Sequence, residues 1–309
     1  MKQATPMAPK FSFKDIPSLA NKVAIVTGAS AGIGLITARE LAKKQCHVIL
    51  ACRSKAKTEP VVQSIAAIAP DAKVEFMELD LMSLKSVHAF SEAFKTRNLP
   101  LHILINNAGI MAPPFALSAD GFESQFATNH IGHMALTLRL LPVLERSAPS
   151  RIVVVSSAAH NYVSSQGINL DTLNDARAYS AWTWYGQSKL ANILFARELD
   201  RRLAARGISN VFVNTLHPGV IVSELMRHTN CFVRLIMRPF QMSTEDGAKT
   251  QLYAATQPDI EQQNLHGKFF VPIARVGESN ALGQDEALAK RLWEFTEAAI
   301  AKCIGPPPP

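Results

Sequence analysis

Tyr185 and Lys189 stand four residues apart in Trp184-Tyr185-Gly186-Gln187-Ser188-Lys189, a spacing that puts both side chains on one face of a helix. A phenol beside an ammonium can give and take a proton. A free tyrosine ionises near pH 10, so acid–base work at neutrality needs its phenolate stabilised by about 4 kcal/mol. Lys189 is one cation in reach. Upstream, Ser156 and Ser157 close the apolar run Ile152-Val153-Val154-Val155, which puts two hydroxyls at the end of a strand that demands burial on both faces. Taken alone, the Tyr–Lys pair would equally suit an ordinary amphipathic helix with a partly buried tyrosine.

A second group lies near the start, in Thr27-Gly28-Ala29-Ser30-Ala31-Gly32-Ile33-Gly34. Lys22–Thr27 reads as a short buried strand, and Ile33, Ile36, Leu41 and Ala42 recur at helical spacing through Lys44. Gly28 permits a tight turn, Gly32 lets backbone approach a ligand, and Gly34 lets the helix lie against the strand. The helix N-terminus then faces a pyrophosphate, with Gly28, Ser30, Gly32, Ile33 and Gly34 as the expected contacts. The spacing is Gly-x-x-x-Gly-x-Gly rather than Gly-x-Gly-x-x-Gly, so a plain connecting turn is the competing reading until its context agrees.

That context continues with His47–Ala51, a strand that runs into Cys52-Arg53-Ser54 where an adenosine ribose should arrive. An acidic residue there would accept a bond from the ribose hydroxyl; this chain offers Arg53, then Lys55 and Lys57. A guanidinium pairs with a phosphate through two parallel hydrogen bonds, which predicts NADP(H) over NAD(H) with Arg53 as the reader. The alternative is that Arg53 begins a solvated helix face. Asp80 ends the next strand and either accepts from an adenine amino group or caps the following helix. Asn106-Asn107-Ala108-Gly109 closes a further strand with small and amide residues, which suits a cofactor crevice and makes Asn107 a candidate contact.

Strands and helices alternate throughout. Helices are predicted over Lys55–Ile68, Ser83–Arg97, Ser118–Glu145 and Ala181–Arg206, and strands over Lys73–Leu79, Leu101–Ile105, Arg151–Ser157 and Asn210–Leu216. This order predicts an α/β, Rossmann-type doubly wound fold. The 309 residues are 48% hydrophobic and 18% charged, enough for one large core. The division read here is an N-terminal extension (1–20), a single dinucleotide-binding catalytic domain (21–303) and a proline-rich tail (304–309). The net charge of +7 would attract an anionic cofactor. Lys and Arg are scattered without interleaved aromatics, which argues against nucleic acid. Four distant cysteines without a Cys-x-x-Cys, and no signal peptide or apolar span, point to a reduced, cytoplasmic protein. His130 and His133 lie one helical turn apart, but no third ligand is evident and no metal is expected.

With TGASAGIG, NNAG and Tyr185-Gly186-Gln187-Ser188-Lys189, the chain resembles the short-chain dehydrogenase/reductase family. Ala51-Cys52-Arg53, Thr128-Asn129-His130-Ile131-Gly132-His133 and Leu216-His217-Pro218-Gly219 place the likeness on the retinol-dehydrogenase-like branch. The resemblance covers residues 22 to about 270. It implies a mainly parallel seven-stranded sheet with helices on both faces and direct hydride transfer without metal. Tyr185 would be the acid and base, Ser157 would bond the substrate oxygen, Lys189 would hold the nicotinamide ribose, and Asn129 would anchor a water that passes protons to Lys189. Backbone near Ile221 and the Ser223 hydroxyl, where the family usually has threonine, would meet the nicotinamide carboxamide. The family commonly pairs its two long helices, so a homo-oligomer is expected.

The substrate expected is an apolar small molecule, with a polycyclic or terpenoid-like ketone of natural-product metabolism as the first candidate ketoreductase substrate. Retinal or another lipid aldehyde, reduced at a membrane surface, is the enzymatic alternative. A non-catalytic NADP(H)-sensing protein is the alternative from another class, though such a protein should have lost Ser157, Tyr185 or Lys189. The aromatic stretch between Ser157 and Tyr185, with Tyr162, Tyr179, Trp182 and Trp184, is expected to form one pocket wall. Met111, Pro113, Pro114 and Phe115 are candidates for another. The basic amphipathic stretch within residues 220–245 is read as a lid, with docking on a membrane as the less favoured reading.

Overall fold

The computed structural model describes residues 11–221, 241–306 and 308. Its centre is a sheet of eight strands in the order β10-β9-β6-β5-β4-β1-β2-β3. Along it run β1 (Val23–Thr27), β2 (His47–Cys52), β3 (Val74–Glu78), β4 (Ile103–Asn106), β5 (Ser150–Val155) and β6 (Val211–Leu216), all parallel. β9 (Phe269–Val271) adds in parallel to β6, and β10 (Arg275–Gly277) turns back antiparallel on β9. The eighth strand corrects the expected seven. It is a three-residue hairpin arm, too short to leave a periodic signal.

Alternate residues of each central strand feed opposite faces. Val23, Ile25, Ile49, Leu104, Ile152 and Val213 join one core; Ala24, Val26, Val48, Ile103, Val153 and Phe212 join the other. Burial on both faces explains the unbroken apolar runs and requires helices on both sides. The second face carries α1 (Gly32–Ala42), α2 (Lys55–Ile68) and α7 (Thr244–Thr256). The first carries α3 (Leu84–Lys95), α5 (Gly132–Arg146), α6 (Ala181–Ala205) and α9 (Glu286–Ile304). Phe11, Ile16 and Leu19, ahead of β1, are buried in the second core.

The helix expected over 118–145 starts only at Ser124. Residues 118–123 form a turn through Gly121, with φ of +82°, and the Ser118 hydroxyl accepts from Asp120 and Phe122 N–H. The Glu123 carboxylate then caps α4 (Ser124–Phe126) by accepting from Gln125 and Phe126 N–H at 2.9 Å each. A π-helical turn, Ala127–Ile131, joins α4 to α5. α9 lies across α6: Trp293 stacks on Phe195 at 5.9 Å and sits under Arg202 at 4.4 Å. Arg139 of α5 donates to the carbonyls of Ile304 and Gly305. Beyond β6, β7 (Val220–Ile221) pairs with β8 (Gln241–Met242) in a separate ribbon. The remainder of the expected lid, and Ser223 with it, lies outside the described residues. α8 (Asp259–Gln262) completes the helices named here. No described helix is long and apolar enough to cross a membrane.

Candidate active site

β1 and β4 are neighbours whose connections run to opposite edges of the sheet, so a crevice opens at their C-terminal ends, where α/β folds bind ligands. A cavity of about 340 Å³ fills it. Gly28, Ser30, Gly32, Ile33 and Gly34 line its floor, together with Arg53, Asp80 and Asn107. Gly28 has φ of +65°, and a Cβ there would come within 2.9 Å of the Ala108 backbone; one on Gly34 would meet Asn107 Nδ2 at 2.5 Å and the Gly28 carbonyl at 2.6 Å. The cradle therefore exists only with glycine. Ala31, at the N-cap of α1, offers no side-chain cap, which leaves the helix's N-terminal dipole to an anion. Asn107 Nδ2 donates to Thr27 O at 2.7 Å, while its Oδ1 is buried without a partner. These features fit an anionic dinucleotide.

Arg53 is exposed at the rim and makes no ion pair with a described carboxylate. Ser54, not Arg53, caps α2, by accepting from Lys57 N–H at 3.4 Å. The Asp80 carboxylate accepts from Met82 N–H at 3.0 Å through Oδ1, so it shapes the turn while still lining the cavity. Ser83 is the cap of α3.

At the other end of the cavity stand Ser157, Tyr185 and Lys189. α6 supplies the last two, one turn apart as expected, and both are buried. Ser156 donates to the Lys189 carbonyl at 2.7 Å and is spent on holding the helix. Ser157 lines the cavity with Tyr185, and its hydroxyl accepts from Ala159 N–H at 3.2 Å. Burial pushes the Tyr185 phenol up to about 12, against a smaller downward pull from the Ser157 hydroxyl. Burial pulls the Lys189 ammonium down to about 8. Lys189 Nζ donates to Val155 O at 3.1 Å and lies 5.8 Å from the centre of the tyrosine ring. With the polypeptide alone around it, burial favours the protonated phenol, the form that can donate a proton.

Asn129 sits behind the cavity wall in the π turn, a feature frequent at functional sites. Its Nδ2 donates to Ile110 O at 3.0 Å and Ser188 Oγ at 2.9 Å, and its Oδ1 accepts from Ile110 N–H at 2.9 Å. All its side-chain bonds pin the loop after β4 to α6. Ile221 also lines the cavity; it packs against Gly247 of α7, where no Cβ would fit.

The four aromatics expected as a wall lie elsewhere. Tyr162 is 76% and Trp182 42% exposed. Tyr179 donates to Pro113 O at 2.6 Å, and Trp184 donates to Leu173 O at 2.8 Å. Of the residues after NNAG, Met111 lines the cavity and Pro113, Pro114 and Phe115 do not. Gln125 is the connection that sequence reading missed: its Oε1 accepts from Ala112 N–H, and its Nε2 donates to Tyr179 Oη and Ala181 O. His130 and His133 are buried, with pKa values pulled by burial to about 3 and about 4. Among the described residues, no group of acidic, histidine or cysteine side chains could hold a metal ion.

Residues 22–232 match the family described as short chain dehydrogenase. A chloroplastic short-chain dehydrogenase of Brassica napus, TIC 32 A, is 42% identical over 281 residues, covering 88% of this chain and 87% of its own. Human retinol dehydrogenase 12 is 41% identical over 280 residues, covering 90% and 86%. The crystal structure of an uncharacterised protein from Mycobacterium paratuberculosis superposes with a TM-score of 0.76 at 37% identity, covering 96% of this chain and all of that one.

Proposed function

Because the chain belongs to the short-chain dehydrogenase/reductase family, on its retinol-dehydrogenase-like branch, we propose that it interconverts a carbonyl and an alcohol on an apolar substrate with NADP(H) and Tyr185. Oxidoreduction with a nicotinamide cofactor is the family's activity. The observation that carries the finer reading is that one cavity holds the glycine cradle and Arg53 at one end and Ser157, Tyr185 and Lys189 at the other. The dinucleotide, when bound, supplies or accepts the hydride.

The chain's own residues do the rest. Gly28, Ser30, Gly32, Ile33 and Gly34 would cradle the pyrophosphate, and Asp80 and Asn107 would flank the adenine and nicotinamide halves. Arg53 would pair with the ribose phosphate, having no described carboxylate to satisfy it. Ile221, and Ser223 by resemblance, would meet the carboxamide. Tyr185, whose phenol stays protonated through neutrality, donates to the carbonyl oxygen in reduction, and Ser157 bonds that oxygen as charge grows on it. Lys189 holds the ribose beside the tyrosine, and Asn129 keeps the loop and helix in register. Met111, Pro218 and Ile221 give the cavity an apolar side, which suits a hydrophobic ketone or, in view of the retinol dehydrogenase relative, a retinoid or lipid aldehyde.

The test uses NADPH deuterated at the transferable position, with candidate ketones, retinal and long-chain aldehydes. Mass spectrometry should find deuterium in the alcohol, lost in Tyr185→Phe although that variant still binds NADPH. Label that persists in Tyr185→Phe would remove tyrosine from its role. Arg53→Ala should weaken NADPH by about tenfold or more, at the 1.5–3 kcal/mol of a charge-assisted bond, and leave NADH unchanged; equal effects on both would refute the NADP(H) preference.

A further inference from the structure

His133 is 1% exposed and both its ring nitrogens are engaged. Nδ1 lies 3.0 Å from the Asn129 carbonyl oxygen, and Nε2 lies 2.9 Å from Thr27 Oγ1. A carbonyl oxygen only accepts, so Nδ1 carries the proton. Burial, with a smaller push from the Lys189 charge, keeps the ring neutral at physiological pH against the upward pull of the Asn129 bond. Nε2 is then a bare acceptor. The single hydroxyl proton of Thr27 must point at it, and the 3.3 Å approach of Oγ1 to Ile105 O carries no proton of its own.

That assignment gives the hydrogen bonds one direction. Thr27 Oγ1 keeps its lone pairs for the N–H groups of Asn107 and Ala108, at 2.9 Å each. Asn129 holds the other end of the same loop through both the N–H and the carbonyl of Ile110. Between these holders, Gly109 passes so close that a Cβ would come within 3.2 Å of Asn129 Oδ1 and 3.4 Å of Lys189 Nζ. His133 bonds both holders, from a helix that itself contributes nothing to the cavity lining.

We propose that His133, fixed as its Nδ1–H tautomer, is a positioning residue that couples the dinucleotide floor at Asn107–Gly109 to Asn129 and Lys189. The tautomer rests on the two ring contacts together with the burial that keeps the ring neutral; the functional coupling rests on the oxidoreductase reading and deepens it. His133 touches no reacting atom. Its effect passes through Thr27, which sets the height of the loop under the cofactor, and through Asn129, which sets the loop against α6.

Two variants divide the ring's bonds. His133→Asn keeps an amide donor near the Nδ1 position and loses Thr27; His133→Gln reaches Thr27 from the Nε2 position and abandons the Asn129 carbonyl. Long-range proton–nitrogen NMR on the full chain without dinucleotide should show Nδ1–H and an unprotonated Nε2, unchanged between about pH 6 and 8. An Nε2–H ring, or an imidazolium in that range, overturns the proposal. Titration with NADPH by protein fluorescence, with no substrate present, should show about tenfold weaker binding for His133→Asn, the size of one lost buried hydrogen bond. His133→Gln should bind within about twofold of the parent and lose kcat rather than KM. Equal effects of the two variants on both readouts would reduce His133 to a packing residue and overturn the coupling. A parent protein that bound neither NADPH nor NADH would fell the oxidoreductase reading and the coupling together. An Nε2–H ring in a protein that binds NADPH fells this proposal alone.

Discussion

Lys189→Met should stabilise the protein while abolishing its chemistry. Lys189 is 3% exposed, and burial pulls its ammonium from 10.5 to about 8. At 1.36 kcal/mol per pH unit the displacement is worth about 3 kcal/mol. Below about pH 8 the side chain is charged in both folded and unfolded chains, and the fold bears the whole cost. Between about 8 and 10.5 the unfolded chain holds a proton that the folded chain has released, so stability rises with pH and the cost fades. Methionine fills similar space without the charge. It gives up the Lys189 bond to Val155 O, worth about 1 kcal/mol, but that oxygen keeps Asn192 Nδ2 as a donor at 3.1 Å. The expected net gain at pH 7 is about 2 kcal/mol, or roughly 3 °C in Tm for a chain of this length. Thermal or urea unfolding at about pH 7 and pH 10 without dinucleotide reads it directly, with turnover measured alongside. A variant that is less stable at pH 7, or whose advantage grows toward pH 10, would refute the reasoning.

Two further outcomes are expected. Gly34→Ala places a Cβ 2.6 Å from the Gly28 carbonyl, where backbone must move, so dinucleotide affinity by calorimetry should fall by more than about tenfold, with about 1–3 kcal/mol of stability lost to overpacking; unchanged affinity would show that the turn is no cradle. The homo-oligomer expected by resemblance would pair the long helices, but α9 lies over α6 through Trp293, Phe195 and Arg202. Light scattering should therefore report a monomer of 33.7 kDa, and a stable dimer would mean that another face, or a displaced α9, makes the contact.

Much of this protein is written in short stretches. The glycine turn was legible because backbone at positive φ and close approach admit few other residues, and the central strands because burial on both faces leaves no polar positions to break the run. Tyr185 and Lys189 were legible because a helix fixes what lies four residues on. The preference for Ser157 over Ser156 came from family likeness rather than from spacing, and in the fold Ser156 is bonded to the Lys189 carbonyl. Tertiary packing decided what local spacing does not encode. It brought Thr27 to His133 across 106 positions, spent Tyr179 and Trp184 on loop carbonyls instead of the cavity, laid α9 over α6, and added β10 at the edge of the sheet. It also set the charge state at the centre. Tyr185 and Lys189, the pair proposed for acid–base work, are moved by burial in opposite directions, the phenol up and the ammonium down, because desolvation penalises whichever form is charged, and desolvation belongs to the assembled fold.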